Sequence, residues 1–117
     1  MQSHDFLGMA RMILDVDASA RERGADEVSD HVQAYTSAQA SALATLLAAA
    51  AASEGEGSAL EAELHAIVEL ASTGHVQVDH LSPLREIAAD GCPPRLRDYV
   101  TDLLEGCNSS SEVRRDP

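Results

Sequence analysis

Apolar residues recur at helical spacing along most of the chain. Near its start they stand three and four positions apart, which places side chains on one face of a helix. Ser3 precedes this group and belongs to a residue type that caps helices. The pattern predicts a first helix capped by Ser3, followed by a kink or a break between Asp17 and Gly24. Its predicted buried stripe is Phe6, Met9, Ala10, Ile13 and Leu14.

The next 30 residues, 25–54, contain neither Gly nor Pro. Helical spacing continues through them, and we predict one long helix from about Asp26 to Ser53. A break near residues 35–37 is the alternative, because Thr36 and Ser37 could cap a second segment. The apolar positions are Val28, Val32, Tyr35, Ala42, Leu43, Leu46, Leu47 and Ala50.

A turn at residues 54–57 separates this region from the next predicted helix. Ser58 and Glu61 have the spacing of a capping box, in which hydroxyl and carboxylate each bond a free backbone amide. Gly74 is placed to end the helix in a left-handed conformation. The apolar stripe between them is Leu60, Leu64, Ile67, Val68 and Ala71.

Two more helices are predicted after Gly74. One starts at Ser82-Pro83, with Asp79 as a competing start, and buries Leu81, Leu84, Ile87 and Ala88 before the break at residues 90–94. The last runs from about Arg95 to Glu105 and ends at Gly106; it buries Leu96, Val100, Leu103 and Leu104.

The composition favours the same fold class. Ala is abundant and is the best helix former, whereas Trp is absent and aromatic residues make up 3% of the chain. We therefore predict an all-α fold, a compact bundle of about five helices arranged in antiparallel pairs. It forms one domain over residues 1–106, and residues 107–117 are a disordered tail because they have almost nothing to bury.

The distribution of charge is the strongest indication of function. The net charge is −12, and all eight basic side chains are Arg. None of them lies between Gly24 and Leu84, where nine acids stand. An acidic surface repels nucleic acid and anionic lipid and attracts basic proteins. No leader or membrane segment is evident, so we expect a cytoplasmic protein. Its two cysteines, Cys92 and Cys107, are then expected to be reduced.

Residues 81–100 resemble the helical repeats of the HEAT family. Leu81-Ser82-Pro83-Leu84-Arg85-Glu86-Ile87-Ala88, a short turn, and Pro94-Arg95-Leu96-Arg97-Asp98-Tyr99-Val100 match the helix–turn–helix of one unit. Asp90, Pro94 and Arg97 stand about where that family has Asp and Pro in the turn and Arg in the second helix. A weaker match pairs residues 41–52 with 60–71, whereas the first 35 residues fit poorly. The resemblance implies HEAT-like antiparallel helix pairs.

The chain also resembles bacterial immunity proteins, which are short, acidic and rich in Ala and Leu. The segments that carry this resemblance are Glu63–Leu70, Thr73–Val76, Leu81 with Leu84, and Arg97–Val100. Such proteins bind a toxin in the cytoplasm of the cell that produces it and block its action. The resemblance implies a non-catalytic module whose partner is a basic toxin domain.

We predict that the partner binds through several acids and through one aromatic side chain in the last predicted helix. Acids on a rigid helical face steer a basic partner, and Tyr is common at the centres of interfaces. The predicted contact residues are Glu54, Glu56, Glu61, Glu63, Glu69 and Tyr99. We predict no catalytic residue, no cofactor and no nucleic-acid binding, and we expect Arg85, Arg95 and Arg97 to pair with nearby acids.

Two alternatives belong to other classes of function. In the first, Glu61, His65 and Glu69 hold a metal ion with a further ligand from His31, His75, Asp79 or His80, and the protein is a sensor or enzyme. In the second, a face of small side chains packs against another copy of the chain in a homo-oligomer. That face comprises Ala40, Ala44, Ala48 and Ala51.

Overall fold

The fold is all-α, as predicted. A computed structural model describes residues 1–87 and 93–115, and it describes side chains as far as residue 105 with the exception of residue 78. The described residues form five α-helices and two 3₁₀ segments. The helices are α1 (Ser3–Ile13), α2 (Ala18–Asp30), α3 (Ser37–Ala52), α4 (Gly57–Ala71) and α5 (Pro94–Arg115); the 3₁₀ segments are Val32–Ala34 and Val78–Glu86.

Helices α1 and α2 form an antiparallel pair joined by a four-residue turn. Close to that turn, Gly24 packs against the backbone of Met12 and Ile13. At the other end, the Tyr35 hydroxyl donates to the carbonyl of Val28 at 3.0 Å and lies 3.5 Å from the sulfur of Met9. A side chain at position 24 would separate the two helices, because an added Cβ would stand 2.8 Å from the Cβ of Met12.

Helices α2 and α4 lie side by side and run in the same direction. The hydroxyl of Ser58 donates to Glu22 at 3.0 Å, and about two turns further along both helices the hydroxyl of Ser29 lies 3.4 Å from the Nδ1 of His65. Both pairs are 36 residues apart in sequence. The start of α5 adjoins α4 through an ion pair between Arg95 and Glu61. Helices α2, α4 and α5 therefore form one layer of the fold.

Helix α3 packs in a second layer, between α1 and the second 3₁₀ segment, and it also covers α4. The smallest dimension of the molecule is 18 Å, which suits two helix layers at the usual spacing of 8–10 Å. Six side chains of α3 are buried, among them the four alanines proposed above for a homo-oligomer. That face is covered by the chain's own helices, so a second copy cannot use it.

The break near residue 36 occurs, and the single long helix predicted for residues 26–53 is wrong. Thr36 forms a capping box with Gln39: its hydroxyl accepts from the Gln39 amide at 3.1 Å, and the Gln39 side chain accepts from the Thr36 amide at 3.0 Å. The break predicted between Asp17 and Gly24 lies earlier, at residues 14–17, and Gly24 is inside α2. Asp17 caps α2, because its carboxylate accepts from the amide of Ala20 at 3.1 Å. The alternative with a break near residues 35–37 is confirmed.

Three predicted helix boundaries are wrong. No side chain caps α1, which begins after Gln2. Ser58 and Glu61 form no capping box, because their side chains bond Glu22 and Arg95 instead. The segment predicted to start at Ser82-Pro83 begins earlier, near the competing start at Asp79, and is a 3₁₀ helix with Pro83 inside it. Gly74 does adopt the left-handed conformation, with φ of 84°.

The predicted core is largely confirmed, and α5 is longer than expected. Leu43, Leu47, Leu64 and Ile67 are fully buried, whereas Leu14 is 59% exposed. The backbone of α5 continues past the predicted end at Gly106 to Arg115. The thiols of Cys92 and Cys107, and the side chain of Ala88, lie outside the described residues. No helix among the described residues is long and apolar enough to cross a membrane.

Candidate functional site

Helix α4 directs its first acids to opposite sides. Glu61 and Glu63 are two positions apart, which is about 200° around a helix axis. Glu63 therefore points into the core with Leu60, Leu64 and Ile67, whereas Glu61 faces a groove at the surface. The two acids take part in two separate clusters, one buried and one exposed.

The buried cluster joins Arg21 of α2 to Glu54 in the turn between α3 and α4. The Nε of Arg21 donates to one carboxylate oxygen of Glu54 and its second Nη to the other, both at 2.7 Å. The amide of Glu56 also donates to Glu54, at 3.1 Å. These donors, Arg21 first, lower the pKa of Glu54 to about 2. The Glu54 side chain is 0% exposed.

Glu63 completes this cluster from α4. It is fully buried, and neither of its side-chain oxygens has a hydrogen-bond partner among the described residues. Burial, followed by the nearby Glu54 carboxylate, raises the pKa of Glu63 to about 9. We name Arg21, Glu54 and Glu63 the buried cluster.

The predicted partner-binding role of Glu54 and Glu63 is therefore corrected. Both side chains are enclosed, so neither can meet a partner in this conformation. The hydrophobic pattern held a signal for Glu63: it stands three residues after Leu60 and four before Ile67, within the apolar stripe. Because Glu63 is charged, it was nevertheless predicted to lie at the surface.

The exposed cluster lies between α2 and α4 and is closed at one side by α5. It is a groove of about 280 Å³ whose walls carry three acids, one imidazole and one phenol. Their positions follow from the parallel packing of α2 and α4, which brings successive turns of the two helices into register. We name this the acidic groove; it is lined by Glu22, Asp26, Ser58, Glu61, Ala62, His65 and Tyr99.

The other predicted contact residues occupy different places around this groove. Tyr99 is half-buried and forms part of its wall. Glu61 bonds Arg95, which lowers the pKa of Glu61. Glu69 is partly exposed beyond the groove, 3.9 Å from the Nε2 of His65. Glu56 is exposed in the turn before α4. The structure thus brings two of the six predicted residues, Glu61 and Tyr99, into one groove.

Sequence reasoning missed the contribution of α2 to both clusters. Neither Glu22 nor Asp26 was among the predicted contact residues, and Asp26 was predicted to begin a helix. Asp26 is in fact in the middle of α2. The 36-residue offset between α2 and α4 places these acids opposite Ser58 and Glu61. That offset depends on the tertiary packing of two hairpins and has no local signal.

The residues suggested for a metal site do not converge. The described part of the chain contains no group of three or more His, Cys, Asp or Glu side chains that could hold a metal ion. Glu61 is bonded to Arg95, and the Nδ1 of His31 contacts the carbonyl of Glu27 at 2.9 Å. His80 bonds the amide of Gln77 through its Nδ1 at 2.9 Å.

A scan against protein-family models, a search of curated proteins and a search of solved structures found no match to the chain. Any function proposed for it therefore depends on the chemistry of its own residues. The acidic groove offers carboxylates, a phenol and an imidazole to a partner, whereas the two acids of the buried cluster have fully enclosed side chains.

Proposed function

We propose that the chain is a non-catalytic protein-binding module that captures a basic partner in the acidic groove. The observation that supports this most is the segregation of charge. No Lys or Arg occurs between Gly24 and Leu84, and the groove collects Glu22, Asp26 and Glu61 from two helices. A concave surface lined by one sign of charge raises the local concentration of oppositely charged groups.

The groove suits a long basic side chain better than a cofactor. Its volume of about 280 Å³ is at the lower limit for small-molecule pockets. A guanidinium entering between α2 and α4 would meet the carboxylates of Glu22 and Asp26 and the ring of Tyr99. Arginine stacks on aromatic faces as well as pairing with carboxylates. Arg95, already bonded to Glu61, is an example of this pairing within the chain.

The most concrete form of this proposal is an immunity protein that neutralises a basic toxin domain. The short acidic helical chain and its resemblance to that class support it. In the complex, the acids of the groove would cover the surface on which a basic toxin domain binds an anionic substrate. The expectation is a cytoplasmic location, where such a toxin would otherwise act on its own producer.

Growth protection tests the immunity form directly. If the gene beside this chain encodes a large secreted protein, the C-terminal domain of that protein would be expressed alone and together with the chain. Co-expression should restore growth that the domain by itself arrests. Growth arrest that persists with the chain present at equal or higher levels would contradict the immunity form.

A pair of charge-matched variants tests the groove itself. Glu22→Gln with Asp26→Asn removes two groove acids, and Asp5→Asn with Glu86→Gln removes two exposed acids elsewhere. With octa-arginine as the probe, the groove variant should bind about tenfold more weakly than wild type at low salt, as expected for the loss of about 1.4 kcal/mol of attraction. The control variant should bind nearly as wild type. Equal losses in both variants would mean that only net charge matters and would contradict the proposal.

A further inference from the structure

The guanidinium of Arg21 donates four hydrogen bonds within the chain. Besides its two bonds to Glu54, it donates from its first Nη to the carbonyls of Asp15 at 2.9 Å and Val16 at 3.0 Å. Glu54 in turn accepts from Arg21 twice and from the amide of Glu56. A carboxylate supplied with three donors is strongly favoured in its ionised form.

Glu63 stands in the opposite situation. It is 0% exposed, no donor among the described residues reaches its oxygens, and the Glu54 carboxylate stands near enough to raise the pKa of Glu63. Two adjacent buried carboxylates cannot both ionise without a large repulsion. If Glu63 is protonated, that repulsion is absent. Its O–H can then donate a hydrogen bond to the Glu54 carboxylate.

We propose that Glu63 is a carboxylic acid in the folded protein, that its proton is donated to the Glu54 carboxylate, and that loss of this proton at alkaline pH loosens the attachment of α4 to α2. The bond connects three elements: α4 through Glu63, the α3–α4 turn through Glu54, and α2 through Arg21. Deprotonation would place two negative charges against one guanidinium in a site without water access to Glu63.

Among the side chains that the structure describes, few charged groups face Glu63. Arg21 approaches from α2, with Asp17 close to Arg21, and Glu54 approaches from the turn. Helix α3 carries no titratable side chain anywhere in its sequence. From α5, Arg95 bonds Glu61, on the opposite side of α4. Burial and Glu54 raise the pKa of Glu63, and Arg21 opposes them.

The expected effect on stability has a definite sign. The ordinary pKa of a glutamate is 4.5, and that of folded Glu63 is about 9. Between these values the folded state holds a proton that the unfolded state has lost, so stability falls as pH rises. The unfolding equilibrium constant should increase by up to about tenfold for each pH unit across this window.

Urea unfolding of the full chain at half-unit steps from pH 5 to pH 9 measures this effect. The Glu63→Gln variant keeps a neutral side chain of the same shape with a donor, and it should lose the downward slope that Glu63 causes. Glu69→Gln on the same helix is the matched control and should keep the slope of wild type. Parallel curves for wild type and Glu63→Gln would overturn the proposal.

A second measurement needs no substitution. Wild-type protein labelled with ¹³C at the glutamate carboxyl carbons would be titrated by NMR from pH 3 to pH 10. One glutamate should remain protonated at pH 7 and titrate near pH 9. The proposal is overturned if every glutamate carboxyl is already ionised at pH 7.

Discussion

The buried cluster and the acidic groove both include acidic side chains and both involve α2 and α4, yet they leave their acids in opposite conditions. In the buried cluster, Glu54 is saturated with donors and Glu63 is enclosed without any among the described residues. In the groove, Glu22 and Asp26 border open space. The difference shows that an acid's place in the fold, and not its charge in the sequence, decides whether it is enclosed or open to a partner.

The comparison predicts its largest effect at Glu54. Glu54→Ala would leave the guanidinium of Arg21 without its carboxylate and Glu63 without its acceptor, at a cost of about 3 kcal/mol in the free energy of unfolding. Glu56→Ala, in the same turn but exposed, should change stability by less than about 0.5 kcal/mol. Urea unfolding at pH 7 measures both. Equal small effects would show that Glu54 acts as a surface acid.

Acid should weaken the buried cluster through Glu54. Its pKa falls from 4.5 to about 2 on folding, so its contribution is complete above pH 4.5 and is lost as pH falls toward 2. The unfolding constant should rise by up to about tenfold per pH unit in that window. The stability of Glu54→Gln should depend less on pH in this range than that of wild type, whereas Glu56→Gln should behave as wild type. Urea midpoints measured from pH 2.5 to pH 5 test this. A wild-type slope in Glu54→Gln would exclude Glu54 as its source.

A smaller effect on stability is expected where α2 packs against α1. Gly24→Ala places a methyl 2.8 Å from the Cβ of Met12 and 3.1 Å from the amide of Ile13, and such overpacking costs about 2 kcal/mol. Gly8→Ala is the matched control, because nothing lies within 4 Å of its added methyl. Because glycine destabilises the interior of a helix, Gly8→Ala should be more stable than wild type by about 0.5–1 kcal/mol. Thermal unfolding of the two variants should therefore shift in opposite directions.

The smallest effect on stability is expected in the acidic groove. Replacing Glu22 with Gln and Asp26 with Asn should change the free energy of unfolding by less than about 0.5 kcal/mol, because both acids border open space. Urea unfolding checks this. A loss comparable to that of Glu54→Ala would show that the groove acids also support the fold.

Local signals in the sequence were sufficient for much of the fold. The apolar spacing identified the buried faces of α3 and α4, and Thr36 and Ser37 indicated a break as the alternative to one long helix. The long helix was preferred because residues 25–54 contain neither Gly nor Pro and keep helical spacing. The capping box at Thr36 and Gln39 and the packing of two shorter helices prevailed over that preference.

The candidate site was less predictable, for two physical reasons. Glu63 stands in an apolar stripe, but a buried acid is rare unless it is paired, so its charge argued for the surface. The groove depends on contacts 36 residues apart, and these are fixed only when both hairpins pack. Arg21, the one base that holds the buried cluster together, precedes the acidic stretch and is separated from Glu54 by 33 residues.

Chemical-shift mapping tests the division between the two sets of acids most directly. ¹⁵N-labelled protein would be titrated with octa-arginine at low salt and again at high salt. We expect the largest shifts at the groove residues and almost none at Glu54 and Glu63, and we expect the shifts to diminish with salt. The groove residues are Glu22, Asp26, Glu61, His65 and Tyr99. Shifts spread evenly over all exposed acids, or centred on Glu54 and Glu63, would contradict this expectation.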